Sequence, residues 1–176
     1  MSSTTKIHKS FEWDMGHRIS QHGGKCFSPH GHRYKATVWL EGIPNDKGMV
    51  MDFYQLSQIV DPIVNELDHA FMVYDADHIM IEFFTQITDA SKKLDKLHKD
   101  ADQIGEPCTK IFGDLGITRT YHLPRPFKFK VVPFESTAEN IAKYIFDRVY
   151  EKTPNVIKVE VWETPKCCAT YEVNIA

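Results

Sequence analysis

The chain has 176 residues, 42% of them hydrophobic and 26% charged, which predicts one globular domain with a sizeable core. The net charge of −3 provides no overall basic field of the kind that binds nucleic acid, and no apolar run is long enough to cross a bilayer. The N-terminus lacks the apolar centre of a signal peptide. The four cysteines make a poor disulfide framework. We therefore predict a cytoplasmic protein without nucleic-acid or membrane partners.

Two segments of alternating residues near the start of the chain predict neighbouring β-strands. The first covers residues 4–17 and ends at His17, and the second covers about residues 34–41. His30 and His32 precede the second strand and share the parity of its apolar face. Because alternate residues of a strand point to the same face, three imidazoles from two adjacent strands can reach one ion.

These three histidines suggest a metal centre. Three imidazoles and one open position are how proteins hold a catalytic zinc ion. Cys26 lies close by in the sequence. Its thiolate could close the metal shell as a fourth ligand, or it could act as a reactive group. The spacing alone leaves both interpretations of Cys26 open.

The next segment predicts a helix. Met49–Met51 is interpreted as a short returning strand, and Asp52 as the cap of a helix with an apolar stripe from Phe53 to Leu67. Pro62 lies inside this helix, where it removes one backbone donor and is expected to produce a kink or a break.

The rest of the chain predicts two more helical regions and a closing hairpin. Apolar residues from Phe83 to Ile104 recur at helical spacing, as one long helix or two shorter ones that end at Gly105–Pro107. Ser136, with Glu139 three residues later, fits a capping box at the start of the last helix. Residues 119–126 are interpreted as a loop, and strands are predicted at 127–134, 156–163 and 170–175.

Two further positions are candidates for chemistry. Asp68 and His69 adjoin each other near the end of the first helix, but adjacent residues do not face each other on a helix, so His69 alone is interpreted as a surface or capping residue. Glu163 continues an apolar strand face. It is either solvated beyond the end of the strand or an anchor for paired N–H donors, such as the edge of a guanine or a pterin.

Six motifs together resemble one family, the 6-pyruvoyltetrahydropterin synthases, over roughly residues 6–73 and 134–175. The short spacer between Cys26 and His30 is similar to that of the 6-carboxytetrahydropterin synthases, which serve 7-deazaguanine and queuosine biosynthesis. The motifs are Trp13-x3-His17, Cys26-x3-His30-Gly31-His32-x-Tyr34, Met49-Val50-Met51-Asp52-Phe53-x2-Leu56, Leu67-Asp68-His69, Ser136-Thr137-x-Glu139-Asn140 and Val161-x-Glu163-Thr164.

The resemblance implies an α+β T-fold, with an antiparallel sheet and two helices on one face, as a single domain that carries a mostly helical insertion at about residues 74–133. It implies a homo-oligomer, commonly a hexamer, with active sites at subunit interfaces. The implied reaction is a zinc-dependent lyase step that converts 7,8-dihydroneopterin triphosphate to 6-carboxy-5,6,7,8-tetrahydropterin, with release of acetaldehyde and triphosphate.

The resemblance also implies roles for particular residues. Zinc would lie on the three histidines, Cys26 would abstract the proton, and Asp68 with His69 would relay protons. Glu163 would support that relay and grip the pterin. The family places the residue matching Thr137 near the pterin, and Glu139 either there or in a capping role.

Some features of this chain depart from the family pattern. The family usually has a Phe and small residues before the first histidine, where this chain has Trp13, Asp14, Met15 and Gly16.

Three alternatives stay open: a pyruvoyl-forming enzyme on the same scaffold, a zinc hydrolase acting on GTP, and a non-catalytic pterin or purine carrier with structural zinc. The cations that would hold the triphosphate are unranked among Lys25, Arg18, Arg33 and Lys166.

Overall fold

The structure is a computed structural model that describes residues 3–104 and 128–173. The chain divides into two compact units, residues 1–76 with 129–176, and residues 77–128. The arrangement of one domain with an insertion at about residues 74–133 stays a prediction.

The first unit is built on a six-stranded sheet in the order β4-β3-β1-β2-β5-β6. Its strands are β1 (Thr5–His17), β2 (His30–Gly42), β3 (Ala70–Tyr74), β4 (Phe129–Val132), β5 (Val156–Thr164) and β6 (Cys167–Glu172). Four of these strands, β1, β2, β5 and β6, pair antiparallel as predicted. The edge differs from an all-antiparallel sheet, because β3 joins β1 in parallel and β4 joins β3 in parallel.

The hairpin of β1 and β2 determines where the three histidines lie. Its register pairs His17 with His30 and Met15 with His32. The second strand begins at His30, four residues before its predicted start at Tyr34. Both histidines of β2 are therefore held in the ladder, on the face that alternation assigned to them.

Two helices pack on one face of this sheet, as predicted. They are α1 (Phe53–Leu67) and α3 (Ala138–Tyr150), and their apolar sides join the alternate residues of the strands in one core. The fully buried side chains include Tyr34, Leu40, Leu56, Leu67, Ile141, Ile145 and Val149. Pro62 does not break α1, because it stands on the exposed side of the helix, where water can satisfy the carbonyl group that loses its donor.

The strand predicted at residues 49–51 is wrong, whereas the cap predicted for the helix after it is confirmed. Residues 49–51 form no strand, because the Asn45 side chain accepts hydrogen bonds from the N–H groups of Lys47 and Met49 and holds this segment as a turn. Asp52 does cap α1, with its carboxylate accepting from the Tyr54 N–H at 2.7 Å.

The cap of α3 is Thr137, one residue after the predicted Ser136. The hydroxyl of Thr137 accepts a hydrogen bond from the Asn140 N–H at 3.3 Å. Ser136 is fully buried, and its hydroxyl donates to the carbonyl of Arg18 at 3.0 Å instead. The capping-box pattern therefore located the start of the helix but assigned the wrong residue.

In the second unit the described residues form one helix, α2 (His78–Ile104), which decides between one long helix and two short ones. Asp77 accepts a hydrogen bond from the Met80 N–H at 3.2 Å near its start. The predicted stop at residues 105–107, the loop at 119–126 and the start of the strand at residue 127 lie outside the described residues. No helix in the described part of the chain is long and apolar enough to span a bilayer.

Candidate metal centre and active site

Three imidazoles meet at the paired ends of β1 and β2. The potential ligand nitrogens of His17, His30 and His32 all lie within 4.8 Å of one another. The His17 ring centroid is 4.5 Å from that of His30 and 5.4 Å from that of His32. His17 is buried, with 1% of its surface exposed, whereas His30 and His32 are half-buried. The structure brings these three histidines together, as the sequence predicted.

Backbone carbonyl groups orient two of the three rings. The carbonyl of Ser136 lies 2.7 Å from His17 Nδ1, and the carbonyl of Ser28 lies 2.8 Å from His30 Nδ1. Since a carbonyl can only accept, each Nδ1 carries a proton, and in the neutral form of each ring Nε2 is therefore the nitrogen with a lone pair for a metal. The sequence did not indicate this role of Ser136, because 119 residues separate it from His17.

His17 has the chemistry of a metal ligand. Its Nε2 is buried and has no hydrogen-bond partner among the described residues. Burial lowers the pKa of His17 to about 4, so the ring is neutral at pH 7 and can donate its lone pair. An orphaned ring nitrogen facing two other imidazoles fits a divalent ion of the zinc type.

Glu163 lies beside this cluster, near the end of β5. Its Oε1 is 3.8 Å from His17 Nε2, and because His17 is neutral this contact is not a salt bridge. The hydroxyl of Tyr34 donates to the same oxygen at 3.5 Å. Burial, followed by the Glu163 charge, raises the pKa of Tyr34 well above its usual range, so Tyr34 remains a donor at neutral pH. Alternation along β2 puts Tyr34 on the apolar face, and the sequence pattern assigns it no role in the site.

Cys26 approaches the same region from a short 3-10 turn, Lys25–Phe27. Its thiol is free and half-buried, and Cys26 lies near enough to the Tyr34 hydroxyl to be among the groups that raise the pKa of Tyr34. The backbone carbonyl of Cys26 accepts a hydrogen bond from the Ile19 N–H at 2.8 Å, which holds the turn against the end of β1. Among the described residues the potential metal group contains the three histidines and not Cys26.

Asp68 and His69 do contact each other, contrary to the argument from helix geometry. The helix has already ended, with Asp68 as the C-cap of α1. His69 adopts the left-handed region at φ 55°, which turns its ring back so that Nδ1 lies 2.9 Å from Asp68 Oδ2. The main chain of Asp14 holds this pair: its N–H donates to Asp68 Oδ1 and its carbonyl accepts from the His69 N–H. Asp14 stands three residues before His17 on β1, so the side chains of Asp14 and His17 point to opposite faces of the sheet. Most of the His69 side chain, 77%, is exposed.

The sequence profile of the family described as 6-pyruvoyl tetrahydropterin synthase matches residues 6–174. The chain belongs to this family.

Individual relatives agree with the family assignment. The 6-carboxy-5,6,7,8-tetrahydropterin synthase of Haemophilus influenzae is 32% identical over 173 residues, which cover 95% of this chain and 98% of that protein. A putative 6-carboxy-5,6,7,8-tetrahydropterin synthase of Pyrococcus abyssi is 30% identical over 185 residues, covering 99% of this chain and 94% of its own.

Solved structures agree with the fold. An uncharacterized protein of Wolinella succinogenes is 25% identical and matches with a TM-score of 0.68 over 98% of this chain and 100% of its own. The 6-pyruvoyl tetrahydropterin synthase of Caenorhabditis elegans, at 20% identity, has the same fold, with a TM-score of 0.58 over 98% of this chain and 97% of its own. The predicted α+β T-fold and the predicted relation to 6-carboxytetrahydropterin synthases, a family of enzymes, are therefore confirmed.

The remaining candidates for substrate contact in this pterin-synthase chain lie around the start of α3 and the rim of the site. Thr137 is half-buried and committed to its cap, and Glu139 is exposed in the first turn of α3. Of the candidate cations, Arg18 is buried with its guanidinium 4.9 Å from the Phe27 ring centroid, and Arg33 is paired with Asp14. Lys25 and Lys166 are exposed.

Proposed function

We propose that this chain is a zinc-dependent 6-carboxy-5,6,7,8-tetrahydropterin synthase. It would convert 7,8-dihydroneopterin triphosphate and one water to 6-carboxy-5,6,7,8-tetrahydropterin, acetaldehyde and triphosphate, in the biosynthesis of 7-deazaguanine compounds such as queuosine. The observation that carries the proposal is the cluster of three imidazoles, in which the buried Nε2 of His17 has no hydrogen-bond partner among the described residues. The names of the relatives from Haemophilus influenzae and Pyrococcus abyssi supply the substrate class.

Different residues of the chain have different roles in this proposed reaction. His17, His30 and His32 would hold zinc, which when bound supplies a Lewis acid for the hydroxyl groups of the substrate side chain. Cys26, as a thiolate, takes a proton from the substrate carbon beside those hydroxyl groups. The Tyr34 hydroxyl faces the Glu163 carboxylate, and the described contacts of Glu163 all involve Oε1. Its other oxygen can accept from the N–H edge of the pterin.

Asp68 and His69 serve as the proton relay in this proposal. Asp68 Oδ2 fixes the ring of His69 through Nδ1, so Nε2 is the atom that exchanges protons with the substrate. Because the pair sits on the face opposite His17 and is largely exposed, we infer that it completes the site of a neighbouring subunit in a homo-oligomer, a hexamer by the family resemblance. Thr137 and Glu139 at the start of α3 would then border the bound pterin.

The experiment that tests the function is mass analysis of the product. Zinc-loaded protein is incubated with 7,8-dihydroneopterin triphosphate, and the pterin product and acetaldehyde are measured together. A 6-carboxytetrahydropterin with an equal amount of acetaldehyde supports the proposal. A 6-pyruvoyl product without acetaldehyde would reassign the chain to triphosphate elimination alone. Tight pterin binding without any turnover would make it a carrier.

A further inference from the structure

The chain just after His17 is fastened to the chain just before α3 by a carboxylate. The backbone N–H of Ser20 donates to Glu135 Oε2 at 3.1 Å, and the Ser20 hydroxyl donates to Oε1 of the same side chain. Both residues are half-buried, and 115 positions separate them in the sequence. This Ser20–Glu135 clasp therefore joins the end of β1 to the segment that leads into α3.

The main chain of Glu135 is itself fixed to the start of α3. Its carbonyl accepts from the Thr137 N–H at 2.8 Å and from the side chain of Asn140 at 2.9 Å. Thr137 is the cap of α3, and Asn140 lies in its first turn. The Glu135 side chain thus extends the anchorage of this segment from the helix to Ser20.

The contacts that orient His17 lie next to the clasp. The Ser136 carbonyl accepts from His17 Nδ1 at 2.7 Å, and the Ser136 hydroxyl donates to the carbonyl of Arg18 at 3.0 Å. Ser136 and His17 are both buried. Residues 17–20 and 135–136 are therefore joined at three successive places, and the contact of Glu135 with Ser20 closes the end of this run.

We propose that Glu135 is a positioning residue for the metal centre, whose carboxylate acts through Ser20 to keep the Ser136 carbonyl on His17 Nδ1 and so directs Nε2 at the ion. The ring of a metal-binding histidine is oriented by the group bonded to its other nitrogen. Because that group is here a backbone carbonyl, its position depends on the side chains that fasten its segment. The role in metal binding rests on the zinc centre of the proposed function.

The first test is the affinity for zinc, measured by competition with a chromophoric chelator. For Glu135→Ala we expect the Kd for zinc to rise roughly 3- to 10-fold, below the effect of losing a direct partner of the ligand, because Glu135 acts one contact further out. Glu151→Ala changes an exposed glutamate at the opposite end of α3 and should leave the Kd unchanged. A general loss of stability does not alter the Kd of chains that remain folded. An unchanged Kd in Glu135→Ala would overturn the proposal.

Further variants show whether Glu135 acts through Ser20. Ser20→Ala should raise the Kd less than Glu135→Ala does, because the Ser20 N–H can still donate, and Glu135→Gln should recover part of the loss, because it keeps one acceptor oxygen. Glu135→Ala combined with Ser20→Ala should bind zinc as Glu135→Ala alone does, since the contact is already lost. An additive loss in the combined variant would overturn the proposal, because the two residues would then act independently.

The last test needs neither turnover nor bound metal. The Nδ1 proton of His17 is followed by NMR in the full chain with labelled histidine, and its signal is assigned by its loss in His17→Gln. We expect its exchange with water to be roughly 3-fold faster or more in Glu135→Ala, because the hydrogen bond to Ser136 opens more often, and unchanged in Glu151→Ala. Unchanged exchange in Glu135→Ala would overturn the proposal. A parent chain that binds no zinc would refute the proposed function, whereas faster exchange in Glu135→Ala would still support the hold of Glu135 on His17.

Discussion

At the scale of single residues, the two nitrogens of His17 have separate tasks. Nδ1 is occupied by the Ser136 carbonyl, which leaves Nε2 in the cluster without a partner in the described part of the chain. A buried acceptor with no donor is costly unless a ligand completes it. Because of this unpartnered nitrogen, the end of the hairpin at His17 is better suited to bind a metal ion than to pack as part of an apolar core.

Two substitutions test whether His30 acts as a metal ligand and Cys26 as the proton acceptor. His30→Ala should lose nearly all bound zinc and therefore turnover, because two imidazoles do not make a stable site. Cys26→Ala should keep about one zinc per chain and its fold, yet lose roughly 100-fold or more in kcat, because the proton acceptor is gone. Zinc content by elemental analysis and kcat by product formation measure the two effects.

A control and a contrary result complete this test. His78→Ala changes an exposed histidine at the start of α2 and should alter neither quantity. Loss of zinc from Cys26→Ala would make Cys26 a fourth ligand and remove it from the mechanism.

At the scale of elements, one carboxylate ties together three parts of the first unit. Glu66 of α1 accepts from Lys130 of β4 at 2.7 Å and from Arg148 of α3 at 2.9 Å. The hydroxyl of Tyr144 accepts a further hydrogen bond from Arg148 at 2.8 Å. The short edge strand β4 thus has an ionic link to both helices as well as its backbone pairing with β3.

This link predicts a particular dependence of stability on pH. Hydrogen bonds from Arg148 and Lys130 lower the pKa of Glu66 from 4.5 to about 2 in the folded chain. A lowered carboxyl pKa stabilises the fold above the unfolded value, and the stabilisation is lost as the pH falls from about 4.5 to about 2. Glu66→Gln should therefore reduce the free energy of unfolding by about 1 kcal/mol at pH 7, a figure that allows for its partial exposure.

Denaturant unfolding of the parent chain and the variant at pH 7, 4 and 3 measures this difference. We expect the gap between them to narrow steadily on acidification. Glu172→Gln, at an exposed position on β6, should show no gap at any pH. A gap for Glu66→Gln that stays constant down to pH 3 would show that charge is not the source of the stabilisation.

At the scale of the whole molecule, the groups proposed for catalysis lie on two faces of one sheet. The His17 cluster and Glu163 share the face of β1 and β5 that continues from the core, whereas Asp68 and His69 lie with Asp14 on the other face. We therefore expect the Asp68–His69 pair of one subunit to serve the histidine cluster of another in a symmetric assembly.

Mixing of two inactive variants tests this arrangement. Cys26→Ala and His69→Gln are unfolded together, mixed in equal amounts and refolded with zinc. If each site combines Cys26 of one subunit with His69 of another, about a quarter of the sites regain both residues, and activity returns to that fraction. If both residues serve the same site from one chain, the mixture stays inactive. Refolding each variant alone is the control, and the mass of the assembly in solution shows whether it is a hexamer.

Strand alternation made the grouping of the three histidines predictable from the sequence. The parity of residues along a strand is a local property, so His17, His30 and His32 could be assigned to one face before any contact was known. The apolar stripes of α1 and α3 were predictable for the same reason. The pattern at Ser136 gave the start of α3 to within one residue, the usual precision of a helix boundary.

Only the tertiary structure decided how these groups are held. The left-handed turn at His69 depends on hydrogen bonds to Asp14 on another element, and the tautomer of His17 depends on the Ser136 carbonyl far away in the chain. The parallel strand β3 was not predicted, because its five residues carry no alternation that sequence analysis could detect. Local periodicity determines which side chains share a face, whereas their partners across the fold are fixed by contacts between distant segments, and these leave no periodic pattern in the sequence.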